Sequence, residues 1–82
     1  MKAENFCGVK NQFVIRTKKA IVFQSYETPI AVYDRESGVV YVDEKKYSRT
    51  TSKYLNTFLD WLPYPIKKEV TADEIEAIVE EI

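Results

Sequence analysis

The hydrophobic period of this chain changes once, near Thr51, and that change limits the folds open to it. Before it, short β-branched and aromatic runs recur between turn residues. They are Phe13-Val14-Ile15, Ala20-Ile21-Val22-Phe23, Ile30-Ala31-Val32-Tyr33 and Val39-Val40-Tyr41-Val42. Such runs suit half-buried or buried strands. Beyond it, Tyr54, Leu55, Phe58, Leu59 and Leu62 return at helical spacing, with Lys53, Asn56, Thr57 and Asp60 on the other side. The first part therefore predicts a sheet and the second a helix laid upon it. With only 82 residues, the chain has room for one core, so sheet and helix belong to a single domain over 1–82.

The connections fit an antiparallel meander. Arg16-Thr17-Lys18-Lys19 reads as one hairpin loop, and Asp34-Arg35-Glu36-Ser37-Gly38 as the clearest, with Gly38 free to take a positive φ. Thr28-Pro29 marks a strand start, because proline has no N–H for a ladder. Thr50 or Thr51 is the expected cap of the helix, and Pro63-Tyr64-Pro65 ends it. A second helix opens at Val70-Thr71-Ala72-Asp73-Glu74-Ile75, where Thr71 and Glu74 have capping-box spacing. Its apolar positions Ile75, Ile78, Val79 and Ile82 need a surface to cover, on this domain or on a second copy. The expected fold is α+β: a four-stranded antiparallel meander packed by one amphipathic helix, then a short C-terminal helix, β-β-β-β-α-α. Residues 1–12 read as a flexible start, 63–69 as a linker and 70–82 as the last helix.

Composition narrows the chemistry. The chain has no histidine and one cysteine, Cys7, which removes histidine-activated nucleophiles, thiolate zinc sites and an internal disulfide. Cys7 reads as a buried or incidental residue, in preference to a reactive thiol. No apolar run approaches the roughly 20 residues of a membrane span, and MKAENFCGVK lacks a signal-peptide centre. The expectation is a protein of the bacterial cytoplasm with no membrane contact and no cofactor. Asp34, Asp43-x-Lys45 and Glu44-x-Lys46 fit the short acidic-x-Lys pattern of Mg²⁺ nucleases, but so few residues match by chance, and the chain is read as non-enzymatic, without catalytic or metal-binding residues.

Charge is segregated beneath a net charge of −1. Segment 21–44 carries five anions against one cation, 45–68 six cations against one anion, and 69–82 six anions alone. Two binding faces follow. Tyr33, Asp34, Glu36, Tyr41, Asp43 and Glu44 form a candidate acidic, aromatic partner face on the last hairpin. Lys45, Lys46, Arg49, Thr51 and Lys53 form an alternative one, where a basic helix start receives an anion or nucleic acid. Tyr26, Tyr33 and Tyr41 are expected at the surface, as is Tyr64 unless it packs with Trp61 against the second helix, the favoured reading for that pair.

At FQSYETPIAVYD (Phe23–Asp34) and YSRTTSKYLNTFL (Tyr47–Leu59) the chain resembles a family of small uncharacterised proteins spread among bacteriophages and prophages. These share Ser-Tyr-x-Thr-Pro-Ile-Ala and Thr-Thr-Ser-Lys-x-Leu-Asn-x-Phe motifs, and the likeness covers residues 20–60, leaving 63–82 outside. Relatives usually carry a histidine after the lysine, where this chain has Tyr54, so a histidine-dependent role does not carry over. The resemblance implies a phage or mobile-element origin and no particular activity. On the fold reading, Ser25, Thr28 and Thr51 satisfy one another's hydrogen bonds as a structural corner. The leading functional expectation is an accessory protein that binds a host or phage protein, including as an inhibitor of a host defence nuclease complex such as a CRISPR effector. The alternative is a small nucleic-acid-binding regulator, and self-association is a further use of the aromatic surface.

Overall fold

The computed structural model describes residues 2–63 and 65–81, without the side chains of Lys2, Ala3 and Cys7. The readings of Cys7 as buried, and of Tyr64 as a surface or core-closing residue, fall outside the described residues. Six strands form one sheet in sequence order: β1 (Lys2–Asn5), β2 (Gln12–Arg16), β3 (Ala20–Ser25), β4 (Thr28–Asp34), β5 (Val39–Asp43) and β6 (Ile66–Val70). The first five pair antiparallel, and β6 joins β5 in parallel. A parallel pair needs a long crossover, which helix α1 (Arg49–Trp61) supplies. Helix α2 (Ala72–Glu81) follows β6.

The class is α+β as expected, and the four expected strands are present. The strand count is corrected from four to six. Segment 63–69 is not a linker, since it contains most of β6, and 1–12 contains β1 paired with β2 from Lys2↔Arg16 to Asn5↔Phe13. Both additional strands are edges whose residues are mainly polar, and an edge strand does not require an apolar face.

Alternation along the central strands sends successive side chains to opposite faces. Ile21, Phe23, Ala31, Tyr33, Val40 and Val42 join Val14 under Phe58 and Leu62 of the α1 side. Ala20, Val22 and Val32 meet Val70 and Ile75 of the α2 side. The sheet is thus covered on both faces, and β3 and β4 are buried through their centres. The ladder shifts between Phe23 and Gln24, which leaves Ile30 as an extra residue between Pro29 and Ala31. Such a bulge lets Ile30 and Ala31, neighbours in sequence, join the same α1-side core.

Two caps define the helices. Ser48, not Thr50 or Thr51, caps α1, its Oγ accepting from the Thr51 N–H at 3.3 Å. The helix consequently begins earlier than its apolar stripe. At α2, the Thr71 hydroxyl accepts from the Glu74 N–H at 3.2 Å, as the capping spacing predicted. Gly38 takes φ +73° in the β4–β5 turn, where its N–H donates to Asp34 O at 2.9 Å.

Candidate functional site

The hydroxyl-rich start of α1 is a brace. Thr51 is buried, and its Oγ1 lies 3.2 Å from Ser25 Oγ on β3 and 3.3 Å from Ser48 Oγ. This joins the helix entry to the end of the strand preceding the Tyr26 turn, the corner anticipated between the two motifs. Thr28 is exposed and contributes no side-chain hydrogen bond among the described residues. Tyr26, with φ 56° and 59% exposed, donates its N–H to Asn11 O at 2.6 Å. Thr51 is therefore withdrawn from the alternative anion face. Lys45, Lys46, Arg49 and Lys53 remain exposed around it. Two of these cations lie over tyrosines, Lys45 Nζ 5.7 Å from the Tyr47 ring centroid and Lys53 Nζ 5.5 Å from that of Tyr54.

The acidic hairpin divides. Asp43 is buried at the far end of β5, where Oδ1 accepts from the Lys45 N–H at 2.9 Å and Oδ2 from the Tyr47 hydroxyl at 2.5 Å. Both oxygens serve the fold, so the Asp43-x-Lys45 match has a structural explanation. Glu44 beside it is exposed, its N–H donating to Val70 O at 2.8 Å. Tyr33 is buried on the α1 side, contrary to its expected surface position. These three residues are separated from Asp34 and Glu36, which occupy the other end of the hairpin or its other face.

Burial, then the hydrogen bond to Asp43 and its negative charge, push the Tyr47 phenol well above the ordinary tyrosine range. An unfolded tyrosine ionises near pH ~10, whereas the folded one still holds its proton there. Stability from this group is thus complete below about pH 10 and declines as pH rises further. Tyr47→Phe is expected to be less stable than wild type at neutral pH, with the gap narrowing above about pH 10. Urea unfolding across that range reads it, and a gap independent of pH contradicts it.

Asp34, Glu36 and Tyr41 do come together. They line a hollow of about 360 Å³ with Lys19, Val32 and the α2 residues Ile78 and Glu81. One Asp34 oxygen fixes the turn by accepting from the Glu36 N–H at 2.9 Å. Three carboxylates against one ammonium, over an apolar floor, make an acidic concavity. Glu81 belongs to the acidic last segment, and only docking of α2 on the sheet carries it to the hairpin, a placement no sequence spacing indicates.

Trp61 lies away from α2, correcting the expectation for that residue. Its ring meets Phe6 at 6.2 Å and Phe58 at 6.0 Å on the α1 side, and it remains 46% exposed. No group of three or more metal-ligating side chains occurs among the described residues, and none of their helices is long and apolar enough to cross a membrane.

Residues 2–77 match a family of unknown function (DUF8033), and the chain belongs to that family. The match extends past residues 20–60, so most of the segment 63–82 lies within the family region. No curated protein and no solved structure matches the chain.

Proposed function

We propose that this member of the DUF8033 family is a non-enzymatic accessory protein of a phage or mobile element that binds a basic surface on a macromolecular partner. The carrying observation is the hollow where Asp34, Glu36 and Tyr41 meet Glu81. The acidic outer residues of α2, Asp73, Glu74, Glu76 and Glu80, extend the same charge along the helix. Such a field favours encounter with a positively charged groove. Nucleic-acid channels of defence nuclease complexes have that character, and occupying one would inhibit its host complex. The phage origin rests on the resemblance of the Phe23–Asp34 and Tyr47–Leu59 stretches to phage proteins.

The test is affinity capture from a bacterial lysate containing an active CRISPR effector, together with phage plating on the same host. Wild type is expected to capture the effector in a salt-sensitive manner and to restore plating. The variant Asp34→Asn/Glu36→Lys/Glu81→Lys retains the turn acceptor at position 34 while removing the acidic concavity. It is expected to lose about tenfold or more in both readouts. Recovery of the protein alone, with no change in plating, would sink this reading. The alternative is nucleic-acid binding through Lys45, Lys46, Arg49 and Lys53, all exposed beside the α1 start. A filter-binding salt titration with duplex DNA distinguishes the two.

A further inference from the structure

The β2–β3 and β4–β5 turns lie side by side, tied by the Arg35 N–H donating to Lys19 O at 2.9 Å. This gathers Arg16, Lys18, Lys19 and Arg35 at one end of the sheet, although 16–19 and 35 are remote in sequence. The end of α1 brings Trp61 to the same place. There the Arg16 guanidinium carbon sits 4.9 Å from the Trp61 ring centroid. Glu4 holds that guanidinium through Nε at 2.9 Å, an ion pair that leaves the two terminal nitrogens for a ligand. Beside this pair is a hollow of about 370 Å³, which Arg35 and Tyr33 also line over a floor of Ile21 and Leu62. Among the described residues, no carboxylate lines it.

Two guanidinium groups, an exposed indole and an apolar floor suit a ligand that is planar and anionic. Bases stack on aromatic rings and on arginine planes, and phosphates pair with guanidinium forks. The hollow has the size of a small-molecule subsite, for which roughly 300–1,000 Å³ is usual. We infer that this end of the sheet binds single-stranded nucleic acid, with a base against the Arg16–Trp61 pair and adjoining phosphates on Arg35 and Lys18. It lies across the sheet from the acidic hollow and does not depend on the function proposed for that hollow. It also differs from the basic start of α1, since Trp61 is at the other end of the helix.

Trp61 is the only tryptophan in the chain, so its emission reports on this site directly. The full chain is titrated with oligothymidylate and oligouridylate of about 15 nucleotides, within the usual range for single-strand sites. Saturable quenching is expected with at least one of them, and the tighter arm shows whether deoxyribose or ribose is preferred. Affinity should fall with added salt. Arg35→Ala, at an exposed turn position, is expected to weaken binding about tenfold and to lower the salt slope by roughly 0.7. Lys10→Glu, at an exposed position before β2, should leave the quenching curve unchanged. Absence of quenching at low salt, or equal binding by Arg35→Ala, overturns the proposal. Quenching by polyglutamate but by neither oligonucleotide also overturns it, and reassigns the site to an acidic protein segment.

Discussion

Phe58→Ala is expected to remove about 3–5 kcal/mol of stability, enough to leave little of the native state in a domain this small. The Phe58 ring is fully buried and stacks on Phe23 with centroids 5.4 Å apart and planes inclined by 23°. The edge of Phe6 completes the cluster at 6.0 Å. Truncation thus opens a cavity between helix and sheet, where neighbours held by strand pairing cannot collapse into it. Urea unfolding followed by far-ultraviolet circular dichroism measures the loss. A cost under about 1 kcal/mol would mean that α1 does not lie on this face.

Ile75→Ala carries the next largest expectation, about 2–5 kcal/mol. Ile75 is the one fully buried residue of α2 among those described, and it joins Ala20, Val22, Val32 and Val70. The helix has 10 residues, too few to persist alone in water. It holds its place through this anchor and through the Thr71 cap. Because the anchor belongs to the same chain, the loss in thermal midpoint should be identical at low and high protein concentration. A loss that disappears on dilution would instead point to docking on a second copy.

The parts of the fold legible in the sequence were those whose apolar residues keep a period. The four inner strands and the stripe of α1 met that condition, and Thr71 announced α2. The edge strands did not. Lys2-Ala3-Glu4-Asn5 and Ile66-Lys67-Lys68-Glu69 lack an apolar alternation, and in β6 only Val70 is buried. A meander also contains no parallel pair, so α1 was read as a lid when it is also a crossover. The α1 cap was ambiguous because Ser48, Thr50, Thr51 and Ser52 all present hydroxyls. Tertiary context assigned Ser48 to the cap and Thr51 to Ser25.

Site residues divided for similar reasons. Asp34, Glu36 and Tyr41 lie near one another along one hairpin, so composition found them. Asp43 looked equivalent until its two oxygens were seen to serve Lys45 and Tyr47. Tyr33 follows strand alternation onto the α1 side, while Asp34 lines the α2-side hollow. Glu81 and the Arg16–Trp61 pair arise from contacts between distant segments, and no local spacing encodes them.

Covering of both sheet faces by the chain's own helices underlies the acidic hollow as well as the core. Methyl and aromatic nuclear Overhauser contacts, recorded on a mixture of labelled and unlabelled protein, test it most directly. Intramolecular contacts from Ile75 to Val22 and Val32, together with Phe58 to Phe23, are the predicted result. Ile75 contacts seen only between labelled and unlabelled copies, or missing altogether, would contradict it.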